Sequence, residues 1–279
     1  MLNDKIKNDL DIFNSIIKKQ KENLKKNSNI PKDYMNWKWN DYNIDHESDN
    51  IKVSDFIKDS RKNAKNICLQ YAYKIKKMYN SKNNPSLVLM GKKGSGKSVL
   101  GTLILRQAIN DINVEVKYVR FIEFALQANT ASLDDLREKF EEVYTDPYYL
   151  MIDEIEHGYQ NNKRVKEYLA QVLTKRFLYK KPTIITTNIM SISSFKDVVG
   201  ESSFRIINNK EAYKNPIKIL SSKSSDEENI YIPDGLYDSE KIIREIKHMI
   251  NKREENIQIR DPKKFTSKII TEIISRSKK

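Results

Sequence analysis

Cysteine is almost missing from this 279-residue chain: Cys68 stands alone, so no disulfide forms within it. Histidine is nearly as scarce. His46, His157 and His248 fall in no metal-ligand spacing, which excludes a structural zinc site of the Cys/His kind. No apolar run approaches the roughly 20 residues that a membrane-spanning helix needs. The opening MLNDKIKNDL interrupts its apolar residues with charges, unlike the apolar core of a secretory signal. A cytoplasmic protein with no membrane partner is the expectation. No internal repeat is visible.

Positive charge, by contrast, is plentiful. Lys and Arg total 51 against 38 Asp and Glu, a net charge of +13, and the pI is about 9.4. Such an excess favours an anionic partner such as nucleic acid, although a Lys-rich and Asn-rich composition also arises from coding bias.

Along the chain, Leu2, Ile6, Leu10, Phe13, Ile17 and Leu24 fall near helical spacing and predict one amphipathic arm over residues 1–29. NSNIPKDY ends it, because Asn, Ser and Pro31 force an extended connection. Tyr34, Trp37, Trp39 and Tyr42 then crowd a short polar segment that reads as a structured loop. A helix is predicted over 55–79, stopped by NSKNNP. Five short apolar runs follow at 86–90, 114–119, 148–152, 183–187 and 217–220, with helical periods between them. Strands alternating with helices predict a parallel α/β sheet. This core is assigned to residues 30–222. The linker-like SSKSSDEEN leads into two further amphipathic stretches, so 223–279 is expected to form a helical extension.

GKKGSGKSVL, residues 91–100, follows an apolar strand and opens a helix, the context a phosphate-binding loop requires. Gly91, Gly94 and Gly96 let backbone N–H groups approach phosphates, Lys97 reaches the β/γ oxygens, and Ser98 coordinates Mg²⁺. Lys92, Lys93, Ser95 and Val99 complete the candidate nucleotide-binding segment. YYLMIDEIEHG carries Asp153 and Glu154 to the carboxyl end of a strand, where open α/β sheets hold ligands. Asp153 is the candidate Mg²⁺ ligand with Ser98, and Glu154 the candidate group that polarises attacking water. An isolated Asp-Glu pair also serves as a helix cap. KPTIITTN delivers Thr187 and Asn188 to another strand end, where an amide orients water without adding charge; Asn as a turn former is the competing reading. Nothing in the loop distinguishes ATP from GTP, and no NKxD base-reading motif is present.

With these motifs the chain resembles the AAA+ ATPases, and among them the bacterial replicative helicase loaders of the DnaC/DnaI type and the related IstB-like transposition ATPases. IPKDY at 30–34 and TKRFLYKKPTIITTN at 174–188 carry the narrower likeness, over about residues 30–220. The resemblance implies an AAA+ core with a five-stranded parallel sheet flanked by helices, with ATP as the nucleotide. It implies a weak ATPase stimulated by DNA or assembly, and an arginine supplied in trans. Arg205 in GESSFRII occupies that place, with Phe204 where the family carries an acid. Arg176 matches an arginine that supports the subunit interface or the Glu154 environment; a solvated helical charge is the alternative. Lys163, Arg164, Lys166 and the 120–140 segment are the implied contributors to a basic DNA surface. The implied partners are single-stranded DNA, a hexameric replicative helicase gripped by the N-terminal arm, and further copies of the chain in an ATP-dependent oligomer. The four aromatics at 34–42 are expected to pack on the core or line the adenine pocket, and Arg244 in the extension is a candidate nucleotide sensor. Two alternatives stand beside the loader: an IstB-like transposition ATPase acting on duplex DNA with a transposase, and a non-catalytic ATP-binding adaptor.

Overall fold

The apolar runs resolve into one five-stranded parallel sheet. The computed structural model describes residues 2–44, 55–81, 85–130, 141–159, 161–209 and 217–219. The strands are β1 (Leu87–Gly91), β2 (Val116–Arg120), β3 (Tyr149–Ile155), β4 (Thr183–Thr187) and β5 (Ile217–Ile219). Their order across the sheet is β2-β3-β4-β1-β5, with every pairing parallel. The expected C-terminal extension, residues 223–279 with Arg244, lies outside the described residues.

The central strands read as unbroken apolar stretches because both of their faces are covered. Successive side chains point to opposite faces. Leu87, Leu89, Tyr149, Met151 and Ile184 therefore join one core, while Val88, Met90, Leu150, Ile152 and Ile185 join the other. The first core is closed by α3 (Asp55–Asn80) and α4 (Lys97–Ile112) through Cys68, Tyr71, Ile75, Leu100 and Ile104. The second is closed by α5 (Phe121–Thr130), α6 (Lys163–Leu178), α7 (Ile192–Val199) and α8 (Glu201–Ile207).

The N-terminal arm is α1 (Leu2–Asn27). Its end is tied to the sheet edge: the Tyr118 N–H donates to Ser28 O at 2.8 Å, and Lys117 Nζ donates to Asn27 O at 3.0 Å. Lys21 Nζ also reaches Asn110 O at the end of α4, 2.6 Å away. Further up the arm Ile12, Phe13 and Ile16 are exposed.

The expected structured loop contains one helical turn, α2 (Lys32–Met35), and a 3-10 turn at Trp39–Asp41. Tyr42 is buried, Tyr34, Trp37 and Trp39 pack on the first core, and Arg106 Nη1 donates to the carbonyls of Tyr34 and Trp37. Packing on the core, one of the two expectations for these aromatics, is what the structure displays.

Arg176 is neither at a free surface nor beside Glu154. It is 1% exposed, and its guanidinium donates to Tyr144 O (3.0 Å), Pro147 O (2.9 Å), Tyr148 O (2.9 Å), Pro182 O (2.7 Å) and Thr183 Oγ1 (2.9 Å). Five donors in a fixed fork satisfy the carbonyls where the chain enters β3 and β4. Its role is internal.

Candidate functional site

The segment 91–98 turns sharply between β1 and α4. Gly94 and Gly96 take φ of 83° and 86°, in the left-handed region. Gly96 also begins α4 with no side-chain cap, so the first-turn N–H groups remain available to an anion. The Tyr42 hydroxyl donates to Ser95 O at 2.9 Å, and a Cβ at Gly96 would overlap the Tyr42 ring. The aromatic segment thus buttresses the loop from behind.

Lys97 is 5% exposed. Its Nζ donates to Lys92 O and to Asn188 Oδ1, each at 2.9 Å. Burial pulls its ammonium down to about 8, against the opposing pull of Asp153, Glu154 and Glu156. Asn188 is bonded on its other side as well, its Nδ2 donating to Glu156 Oε1 at 3.0 Å. One amide therefore joins the phosphate loop to the end of β3.

Asp153 is buried and receives three hydroxyls. Ser98 Oγ donates to Oδ1 at 2.9 Å, Tyr118 OH to Oδ2 at 2.6 Å, and Thr186 Oγ1 to Oδ1. The Tyr118 phenol is pushed up by burial and then by Asp153. Tyr34 approaches from the N-terminal segment; burial, then Asp153 and Glu154, push its phenol up too.

The strand reading ends β3 at residue 152, but the structure continues it to Ile155. The acidic pair lies inside the strand because pairing with β4 resumes past an irregularity. Ile152 pairs with Ile185 and Ile155 with Thr187, so Asp153 and Glu154 together face the single residue Thr186. This is a β-bulge, and it places Glu154 at φ 61°. A left-handed non-glycine residue costs on the order of 1 kcal/mol and persists only where neighbours hold it. The Glu154 N–H donates to a side chain across the bulge, Thr186 Oγ1, at 2.9 Å.

The structure thus brings Lys97, Ser98, Asp153, Glu154 and Asn188 to one end of the sheet. Arg205 stands apart on α8, largely exposed and 3.6 Å from Glu201 one turn earlier. Phe204, at the place where the resemblance expects an acid, packs against the second core. Lys163 lies within an exposed pair with Glu167 at 3.8 Å, and Arg164 Nη1 donates to Asn129 O at 3.2 Å. Of the 120–140 segment, α5 is described and leaves Ile122 and Leu126 exposed.

Sequence reasoning misses Tyr118, Glu156 and Thr186. Each acts through a partner on another element, which linear spacing does not reveal. Only the run of hydroxyls before Asn188 gives a signal.

A phosphate loop after the interior strand β1, with a polar end on the adjacent β4 and an acidic end on β3 beyond it, defines a P-loop ATP-binding protein of the AAA+ type. The sequence model for IstB-like ATP-binding proteins matches residues 54–205, more than half of the chain, and the chain belongs to that family. The crystal structure of the DnaC helicase loader superposes with a TM-score of 0.50 at 18% identity, covering 68% of this chain and 99% of that one, which shows a common fold. The structure of DnaI is also similar (TM-score 0.45, 16% identity, 70% of this chain and 93% of that one). So is AMPPCP-bound DnaA from Aquifex aeolicus (TM-score 0.44, 15% identity, 79% and 57%). A search of curated proteins finds no match. No helix among the described residues is long and apolar enough to cross a membrane.

Proposed function

We propose that this protein is a cytoplasmic, ATP-dependent helicase loader that binds a hexameric replicative helicase through α1 and single-stranded DNA through its AAA+ core. The core comprises residues 30–222, between the arm at 1–29 and the extension at 223–279. One observation carries the reading. Tyr118 binds the end of the arm through its backbone, at Ser28, and the site carboxylate Asp153 through its hydroxyl. A partner that pulls on the arm therefore acts, through one residue, on the nucleotide site. The exposed Ile12, Phe13 and Ile16 give such a partner an apolar surface, as in helix-in-groove recognition.

In this reading residues 91–99 cradle the phosphates, and Lys97 exchanges its bonds to Lys92 and Asn188 for phosphate oxygens. The donor set fits Mg²⁺, which takes one or two protein oxygens and completes its shell with water and phosphate. Asp153 and Ser98, already 2.9 Å apart, are those two. Bound Mg²⁺ would offset charge on the transferring phosphoryl group. Glu154 polarises the attacking water, Asn188 orients it, and Arg205 reaches the site of the next subunit, which couples slow hydrolysis to oligomer assembly. A net charge of +13 suits a sequence-tolerant DNA contact.

The test is ATP hydrolysis measured against protein concentration, with and without single-stranded DNA, for wild type, Lys97→Ala and Arg205→Ala, together with capture of the host's hexameric helicase. A cooperative, DNA-stimulated rate lost in both variants, with helicase retained by the arm, is the expected result. Failure to bind either helicase or single-stranded DNA in the presence of ATP overturns the reading. The family assignment favours a second reading, an IstB-like transposition ATPase acting with a transposase; preference for bent duplex over single strands selects it. A flat rate indifferent to DNA and to Arg205→Ala selects a non-catalytic adaptor.

A further inference from the structure

Thr186 is fully buried on β4 and is the one residue opposite both members of the acidic pair at the bulge. Its single hydroxyl is used twice. The proton goes to Asp153 Oδ1, and a lone pair accepts the Glu154 N–H at 2.9 Å. The first bond orients the carboxylate that also receives Ser98. The second gives the Glu154 N–H a buried side-chain acceptor, at a residue held in left-handed backbone within the bulge. Its neighbour Thr187 fastens the far side of the same irregularity, donating to Ile155 O at 2.7 Å and accepting the Ile189 N–H at 3.1 Å. A valine would fill the same space, leave the Glu154 N–H without this acceptor and take from Asp153 one of its three hydroxyl donors. From this double use we propose that Thr186 is a positioning residue, which sets the Asp153 carboxylate and the Glu154 backbone in one register so that the metal ligand and the water-polarising group are delivered together. The inference rests on the roles proposed above for Asp153 and Glu154.

Three variants test it: Thr186→Val and Thr186→Ala remove the hydroxyl, and Thr186→Ser keeps it. Residue-resolved amide exchange on nucleotide-free protein is read first. The Glu154 amide is expected to exchange about tenfold faster or more in the Val and Ala variants and near the wild-type rate in Ser. Next, the Mg²⁺ concentration that half-saturates binding of a fluorescent non-hydrolysable ATP analogue is expected to rise about threefold or more without the hydroxyl. Affinity for the analogue at saturating Mg²⁺ is expected to stay within about threefold, and kcat to fall about tenfold or more with little change in KM. Ser restores these values, whereas a merely structural role moves thermal stability alone. Glu154 protection retained in both the Val and Ala variants, or a Ser variant indistinguishable from them, overturns the proposal. If wild type hydrolyses no ATP, the ATPase reading fails, while amide exchange and Mg²⁺ dependence still decide the role of Thr186.

Discussion

Lys97 and Asn188 hold each other across 2.9 Å, ammonium to amide oxygen, while the same amide donates to Glu156 at 3.0 Å. An amide suits this place because it accepts from a cation on one side and donates to a carboxylate on the other. In the proposed function, nucleotide claims Lys97 and frees the Asn188 oxygen, so that the end of β4 responds to occupancy at the loop. Asn188→Ala is expected to leave ATP affinity within about threefold while reducing kcat by about tenfold to a hundredfold. Equilibrium binding of an ATP analogue alongside steady-state hydrolysis separates the two effects; an equal loss of both would mean that the residue serves binding alone.

Nucleotide binding is expected to depend on pH through Lys97. Its ammonium is drawn down to about 8 by burial in the free protein, and polyphosphate favours the charged form. Binding then takes up a proton, and affinity is expected to weaken about tenfold per pH unit above pH 8. Calorimetry between pH 7 and 9.5, in buffers of different ionisation enthalpy, measures that uptake. Stability moves the opposite way. A lysine whose pKa falls on folding, from 10.5 to about 8, is bound to more protons in the unfolded chain, so its contribution becomes less unfavourable as pH rises through that window.

Tyr42 and Gly96 give a paired prediction. Tyr42→Phe removes the hydroxyl bond to Ser95 O but keeps the ring, so the expected cost is about 1 kcal/mol of stability with modestly weaker nucleotide binding. Gly96→Ala places a methyl into that ring at φ 86° and is expected to abolish binding. Shrinking the ring, in Gly96→Ala with Tyr42→Ala, relieves the overlap and leaves the backbone strain, so binding is not restored. Recovery of affinity in the double variant would assign the whole effect to the overlap.

The interior strands were legible because their apolar runs are what a parallel sheet covered on both faces demands, while β2 (VKYVR) and β5 (IKI), at the edges, carry lysines within shorter apolar patterns. Lys97, Ser98 and Asp153 were legible because their chemistry fixes residue types at fixed spacing. The bulge was not, since Glu154 departs from the regular ladder through its pairing with Thr186 on a strand some thirty positions away. Tyr118 was hidden for the same reason: its hydroxyl matters only once β2 lies beside β3. Arg176 is different, because the signal was present. Val165, Leu169, Val172 and Leu173 line the buried face of α6, and position 176 continues that stripe, so helical period alone points its side chain inward. Charge argued for the surface, and five hydrogen bonds outweighed it.

Arg176 should therefore behave as a structural residue. In Arg176→Met the stem is kept, but four carbonyls and Thr183 Oγ1 lose their donor in a buried setting. Each stranded acceptor costs about 1 kcal/mol or more, so a loss of at least about 3 kcal/mol is expected even after partial rescue by water. Arg176→Lys carries the charge but not the planar fork, and is expected to recover less than half of that loss. Urea denaturation of the nucleotide-free protein measures both, with Arg205→Ala as the comparison. Arg205 is largely exposed and bonded only loosely to Glu201, so its removal is expected to shift stability by less than about 0.5 kcal/mol. If the two arginines exchanged these phenotypes, with Arg176→Met folding normally and failing only in assembly, Arg176 would belong to a subunit contact and the internal role assigned to it would be wrong.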